Sequence, residues 1–182
     1  MNLLQTMHIT ANSRIKPTAI EQAVEPHTDA LAMLGADQRR IRMLIERYRS
    51  GADNDNKAHN CNRVCALLSI HILVEEGHLF PAARRVLGNC AVIEEAEIGH
   101  YVIKELVRQL QDEELRLHRR DAVFGVLADY VEQHFADERS DLFAPLAASK
   151  EDLDELARRM IVEKYRVSPW FGVAAMTTAD AG

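Results

Sequence analysis

The sequence predicts an all-α protein in which an up-down antiparallel four-helix bundle is followed by a short extra C-terminal helix. Apolar residues recur with spacings of three and four over long segments, as they do on the buried face of an α-helix. No segment shows the alternation of apolar and polar residues that is typical of a β-strand. The links between the four long segments are short, which predicts that consecutive helices lie side by side and run in opposite directions.

The first two predicted helices are separated by a polar link. The first begins near Thr28, a typical N-cap residue, and ends before Gly51. Residues 51–57 are rich in Gly, Asp and Asn, which predicts a turn. In the second helix, Pro81 is expected to bend the helix or to end its first part, and Gly88 is expected to end it altogether.

The third predicted helix begins near Asn89, and a polar link over residues 113–120 separates it from the fourth. A fifth, shorter helix is expected to start at Ser149. There the run Ser-Lys-Glu-Asp is typical of an N-cap followed by acidic residues in the first turn.

The 182 residues predict one domain with short arms. The expected boundaries are an N-terminal arm over residues 1–27, the bundle over 28–166 and a C-terminal tail over 167–182. Hydrophobic residues make up 47% of the chain, which is ample for a core.

Composition excludes several classes of partner and location. The formal net charge is −6 and no run of Lys or Arg occurs, so nucleic acid is not an expected partner. No segment approaches the roughly 20 apolar residues of a membrane-spanning helix, and no signal peptide is evident. Three cysteines are too few for a disulfide framework, which favours the cytoplasm. The sequence identifies no protein partner.

A motif that occurs twice is the strongest indication of chemistry. His71 is followed four residues later by Glu75, and His134 is followed four residues later by Glu138. In both copies a Leu-Phe pair and then a proline come next. Positions four apart lie on one face of an α-helix, so each histidine and its glutamate can reach the same ion.

Counting residues from the predicted turns places several polar residues at one height of the bundle. His100 on the third helix falls level with His71 and His134, and Gln38 occupies the corresponding slot on the first helix. Buried carboxylates need cations or protons, so this layer predicts a metal site. The predicted ligands are His71, Glu75, His100, His134 and Glu138, with Glu97 and Gln38 as less certain candidates. Mixed imidazole and carboxylate ligands suit iron, manganese or zinc.

These segments resemble the hemerythrin-like (HHE cation-binding) family. The resemblance covers roughly residues 28–166 and rests on four segments: Gly-Ala-Asp-Gln-Arg around Gln38, His71-x3-Glu75 with Leu-Phe-Pro-Ala, Glu-Glu-Ala-Glu-Ile-Gly-His100, and Val-Glu-Gln-His134-x3-Glu138. It implies a non-haem di-iron centre in which the histidines are terminal ligands and Glu75 and Glu138 bridge. It also implies dioxygen, nitric oxide or peroxide as the small ligand.

The sequence departs from that family at Gln38, where histidine is usual. Either one metal has an open position, or it binds weakly and the site is effectively mononuclear, with one iron or another transition metal. The expected function is therefore binding or sensing of dioxygen or another small oxidant at a (di-)iron site. The alternatives are an enzyme that turns over peroxide or nitric oxide and a metal-depleted helical interaction module.

Overall fold

The computed structural model of the protein describes residues 29–51 and 54–172. Within these ranges it contains helices and no β-strand, so the all-α class is confirmed. The predicted N-terminal arm and most of the predicted tail lie outside the described residues. The elements are α1 (Ala30–Ser50), α2 (Asn54–Val74), the π-helical turn π1 (Glu75–Leu79), α3 (Phe80–Leu87), α4 (Ala91–Leu110), α5 (Leu117–Glu138), the π-helical turn π2 (Arg139–Phe143), α6 (Ala144–Ala147), α7 (Leu153–Val167) and a 3-10 turn (Ser168–Phe171).

Two helices are capped by aspartates that differ from the predicted caps. Thr28 lies outside the described residues, and the N-cap of α1 is Asp29, whose carboxylate accepts from the amide of Ala32 at 2.7 Å. The N-cap of α7 is Asp152, three residues beyond the predicted start. Ser149 belongs to the preceding turn, because its hydroxyl accepts from the amide of Glu151.

Each π-helical turn precedes a proline. In π1 the amide of Phe80 donates to the carbonyl of Glu75, five residues earlier, and Pro81 follows. Proline has no amide hydrogen and clashes with the carbonyl four residues before it, so a widened turn accommodates it. Pro81 therefore ends the α-helical hydrogen bonding of α2 without ending the helical path. The expected end at Gly88 is confirmed, since this C-cap residue has a φ of 72°.

The helices form a bundle in which α1 packs most extensively against α2, and α4 against α5. Further contacts join α2 to α4 and α1 to α5. The last helix, α7, packs against α1, α2 and π1. The two most closely packed pairs are thus formed by helices that are consecutive long helices in the sequence, as the short links predict.

The core consists of two apolar clusters that occupy different parts of the same helices. One contains Ile41 and Leu44 of α1 together with Phe124 and Phe135 of α5. The other contains the start of α1, the start of α4, both short helices α3 and α6, and the buried face of α7. Each long helix also contributes buried polar residues where the two clusters adjoin, and these residues form the candidate site.

One helical stretch, Asn56–Leu87, is long and apolar enough to cross a membrane by length and composition alone. However, 61% of the most apolar 18-residue window of this stretch is buried inside the protein. Such burial is that of a core helix.

Candidate metal centre

Six polar side chains meet in the layer between the two apolar clusters. None of them is more than 7% exposed. Among the described residues, Ser168 is the only other buried polar residue. The six are Gln38 from α1, His71 from α2, Glu75 from π1, His100 from α4, and His134 and Glu138 from α5.

The carboxylate of Glu75 lies between two histidines. Its Oε1 is 3.1 Å from Nε2 of His71, the residue one helical turn earlier. Its Oε2 is 3.3 Å from Nε2 of His100 on α4. Each oxygen thus faces a different imidazole, which is the arrangement that a bridging carboxylate requires.

The two oxygens of the Glu138 carboxylate have different kinds of neighbour. Its Oε1 is 3.3 Å from Nε2 of His134 and 3.8 Å from Nε2 of His100. Its Oε2 accepts a hydrogen bond from the side-chain amide of Gln38 at 3.1 Å. The glutamine therefore lies where the sequence repeat places it, and it engages the oxygen of Glu138 that faces away from His134.

One group of these side chains brings its ligand atoms close enough together to hold an ion. Glu75, His100, His134 and Glu138 each offer a ligand atom, and these atoms all lie within 4.8 Å of one another. We call this the two-histidine position. The remaining contacts of the layer pair His71 with Oε1 of Glu75 and Gln38 with Oε2 of Glu138, and we call this side of the layer the glutamine position.

A carboxylate that the sequence argument missed supports His71 from behind. Asp37 Oδ2 is 3.8 Å from Nδ1 of His71, and Lys164 of α7 contacts both oxygens of Asp37 at 2.7 Å. Asp37 precedes Gln38 in the chain, and that adjacency is the one signal that could have found it. Nothing in the sequence pattern pointed to Lys164.

His100 has a similar support. Its Nδ1 lies 3.2 Å from Oε1 of Glu76, and Lys104 contacts the same oxygen at 2.6 Å. The sequence argument missed Glu76 as well, although it directly follows Glu75. Carboxylates behind metal-binding histidines fix the ring orientation and the tautomer, which is the role that this geometry allows.

Aromatic rings close the layer above and below. The ring of Phe80 stacks on His100 with centroids 4.9 Å apart, and Phe135 meets His71 edge-on at 5.3 Å. Both phenylalanines are fully buried. They exclude water, so charges in the layer interact in a low dielectric.

The absence of a side chain at Gly99 makes room for the imidazole ring of His134. A Cβ placed on Gly99 would lie 2.9 Å from Nδ1 of His134, closer than real contacts allow. The structure shows that the space is taken by the imidazole of His134.

Glu97, a less certain candidate, lies outside the layer. Its carboxylate is 2.7 Å from the guanidinium of Arg84, and 38% of its side chain is exposed. Three residues before His100 on α4, it points towards α3 rather than into the bundle. This geometry does not place Glu97 among the ligands.

The buried charges shift one another's pKa values. Burial alone would lower the pKa of His71, but Glu75 and Asp37 raise it to about 10. Burial acts in the same direction on His100, and Glu138, Glu75 and Glu76 raise its pKa to about 11. Burial would raise the pKa of Glu75, but the charges of the two histidines lower it to about 2. Without an ion, the neighbouring carboxylates thus favour the protonated form of both histidines.

The layer also contains the unsatisfied polar atoms of the core. Among the described residues, the buried side-chain nitrogens and oxygens without a hydrogen-bond partner all belong to it, apart from Nε of Arg120. They include both oxygens of Glu75, Oε1 of Glu138, and Nε2 of His71, His100 and His134. Buried polar atoms of this kind are costly unless they have partners, and a cation would provide one for the grouped ligand atoms of Glu75, His100, His134 and Glu138. The residues fit a metal ion.

The comparisons with known proteins agree with this geometry. The chain matches the family described as "Hemerythrin HHE cation binding domain" over residues 29–144, which is more than half of its length. Neither a curated protein nor a solved structure matches the chain. The matched residues include all six side chains of the buried layer. The chain therefore belongs to the hemerythrin HHE cation-binding domain family.

Proposed function

We propose that this protein is a non-haem iron protein that binds or senses dioxygen or another small oxidant. The observation that carries the proposal is the cluster of unpaired imidazole nitrogens and carboxylate oxygens of Glu75, His100, His134 and Glu138, within 4.8 Å of one another. We propose these four residues and His71 as the ligands. Imidazole with carboxylate suits iron, with manganese and zinc as the nearest competitors.

The two ion positions are proposed to differ in strength. The two-histidine position offers two imidazole nitrogens and two carboxylate oxygens. The glutamine position offers one imidazole, and Oε2 of Glu138 already accepts a hydrogen bond from Gln38. A carboxamide oxygen is a weaker donor to iron than an imidazole nitrogen. The centre thus holds one ion firmly and a second ion weakly.

Iron bound here would supply an electron to a small oxidant. The chain's own residues then perform four tasks. Glu75 connects the two positions through its two oxygens, and Phe80 excludes water from the side of His100. Asp37 and Glu76 hold the two imidazoles from behind, and Gln38 holds Glu138 through its amide.

Three further features belong to the proposal. The four long helices are proposed to have the up-down antiparallel arrangement of the family. The protein is proposed to act in the cytoplasm, since its composition favours a reducing compartment. The small ligand is proposed to be dioxygen, another diatomic molecule or a peroxide.

The test is the metal content per chain after anaerobic loading with Fe²⁺, followed by an absorption spectrum before and after exposure to air. We expect one ion to survive gel filtration, a second to be lost at low free iron, and the spectrum to change on exposure. Retention of no iron would contradict the proposal and would favour a metal-depleted interaction module. In that case chelator would leave the melting temperature unchanged, whereas a bound ion raises it.

An enzyme is the second candidate, and Gln38 favours it. An ion on the side of Gln38 would have one imidazole ligand fewer, and a reactant could take that place in its coordination shell. Sustained turnover of peroxide or nitric oxide by the iron-loaded protein would favour the enzyme. A single stoichiometric reaction would favour binding or sensing.

A further inference from the structure

A cleft of about 340 Å³ leads from the surface to the centre between α4 and the end of α5. Its buried part is formed by His134, Glu138, Ala96 and Leu142. The cleft therefore ends on two of the four residues of the two-histidine position.

Three exposed carboxylates surround the mouth of this cleft: Glu95 of α4, Asp137 of α5 and Asp141 of π2. In the part of the chain that the structure describes, none of the three has a basic residue within ion-pair distance. Asp137 only accepts a hydrogen bond from the uncharged side chain of Gln133 at 2.7 Å. The mouth carries three negative charges without a neighbouring cation.

Carboxylates elsewhere on the same two helices are neutralised. Glu94, one residue before Glu95, contacts Arg84, and Glu105 contacts Arg108. On α5, Asp129 contacts Arg49. The uncompensated charge is thus a property of the cleft and not of the helix surfaces in general.

The buried end of the cleft has unpaired ligand atoms. His134 is 7% exposed and Glu138 is 2% exposed, yet Nε2 of the first and Oε1 of the second lack any hydrogen-bond partner. On the side of the centre formed by α1 and α2, by contrast, α7 packs over the helices and Lys164 faces Asp37. The charge of Lys164 is paired with that of Asp37, so this side has no uncompensated carboxylate that would attract a cation.

We propose that this cleft is the entrance through which a hydrated divalent cation reaches the centre, drawn in by Glu95, Asp137 and Asp141. The proposal rests on the metal-binding function proposed above. The three carboxylates do not form a preassembled site, because the described residues contain one group of closely spaced ligand atoms and it is the buried one. They act on the encounter, by raising the local concentration of cations at the mouth. Dioxygen is uncharged, so its passage gives no reason for these charges.

The test follows the loading of the full chain with Co²⁺, an air-stable ion whose visible absorption reports coordination. The rate is measured by stopped flow at low and high salt. In the triple variant Glu95→Gln, Asp137→Asn, Asp141→Asn, we expect loading at low salt to be slower by about tenfold or more. The salt dependence should become weaker, since screening acts on the charges that have been removed. The final amount of bound Co²⁺ should be the same as in the wild type.

A matched control removes three charges that are already neutralised. The variant Glu94→Gln, Glu105→Gln, Asp129→Asn has the same net charge as the triple variant and alters the same two helices. It should load at the rate of the wild type. The substitution Gln133→Glu adds a fourth carboxylate at the mouth and should accelerate loading.

The outcomes separate the two proposals. If the wild type binds Co²⁺ but the triple variant loads as fast, or if the control slows as much, the entrance is not this cleft and the metal-binding proposal stands. If the wild type binds no Co²⁺, both proposals are wrong. Slower loading in the triple variant alone, with unchanged final content, establishes the entrance.

Discussion

The two helix pairs build their halves of the centre differently. The second pair supplies His100, His134 and Glu138, whereas the first supplies His71 and Glu75 but has Gln38 in the slot that corresponds to His100. The glutamine does not leave an empty slot, because its amide donates to Glu138. One half thus presents imidazoles to an ion, and the other half orients a carboxylate.

The preceding slot differs as well. Gly99 leaves room for the imidazole of His134, and the corresponding Asp37 places a carboxylate 3.8 Å from Nδ1 of His71. Two adjacent positions on one helix of each pair therefore decide whether that half receives a second histidine or a supporting carboxylate. The difference teaches that the identity of a few side chains is enough to make two helix pairs of the same bundle chemically unequal.

Removing one histidine from each half, in separate variants, should show the difference between the halves most clearly. His134→Ala takes a ligand from the two-histidine position, so we expect the firmly held ion to be lost. The affinity should fall by more than the roughly 10–100-fold typical of changes behind a ligand. His71→Ala should retain that ion after gel filtration. Metal analysis of both variants checks this, and equal loss in both would mean that the two positions are equivalent.

Gln38→His should make the halves alike. A fourth imidazole would be available, next to the three of His71, His100 and His134, and the hydrogen bond to Oε2 of Glu138 would be removed. We expect more iron per chain after gel filtration and a changed absorption spectrum. Gln38→Asn is the control, since it keeps the amide but shortens the side chain. Unchanged stoichiometry and spectrum in Gln38→His would count against the proposed inequality.

Asp37→Asn should weaken the half that contains His71. It removes the charge behind that imidazole, and such changes lower metal affinity about 10–100-fold. Titration with Fe²⁺ under anaerobic conditions should show a weaker second binding step and an unchanged first one. Glu76→Gln, behind His100, should show the reverse pattern. If both variants weakened the same step, the assignment of carboxylates to halves would be wrong.

The raised pKa values of His71 and His100 predict that stability depends on pH with opposite signs in the metal-free and metal-bound proteins. In the metal-free protein these pKa values are about 10 and about 11, against an ordinary 6.5. The protonated histidines stabilise the fold fully below pH 6.5, and this stability is lost as the pH rises through their folded pKa values. Metal binding displaces those protons, so it strengthens as the pH rises. Melting temperatures with chelator and with metal, from pH 6 to 9, should diverge. Parallel curves would contradict this.

Gly99→Ala should have the smallest effect on the fold and a specific effect on one half. The added methyl group would meet the ring of His134, so the two-histidine position should bind its ion more weakly. Gly35→Ala on α1 is the control, because its Cβ would meet only the guanidinium of Arg39 at an ordinary 3.5 Å. There we expect stabilisation of about 0.5–1 kcal/mol. Equal metal affinities in the two variants would show that Gly99 does not position His134.

The all-α class and the residues of the buried polar layer could be predicted from the sequence, because both depend on the spacing of residues along a helix. Spacings of three and four place Ile41 on the buried face of its helix and bring His71 and Glu75 together. The predicted start of α7 was wrong by three residues. Both Ser149 and Asp152 are typical N-cap residues, and only their hydrogen bonds show that Asp152 caps the helix.

Contacts between helices that are distant in sequence could not be predicted. Lys164 reaches Asp37 across 127 positions, and no spacing rule connects them. Glu97 lies at the spacing used in helical carboxylate sites, yet its rotation on α4 brings it to Arg84. A one-dimensional pattern specifies which residues share a face, but it does not specify what that face meets.

The two π-helical turns give the molecule a mechanical division. Below them, α2 and α5 carry His71 and His134 on uninterrupted α-helical hydrogen bonding. Beyond them, the short helices α3 and α6 pack against each other, and we call these two helices the cap. Each has a proline in its first turn, which has no amide hydrogen to donate back to the π-helical turn. We therefore expect backbone amides of the cap to exchange with solvent before those of the long helices. An opening confined to the cap would leave His71 and His134 on their helices but would move Phe80 of α3 away from His100, so fluctuation at this end would admit water to the centre.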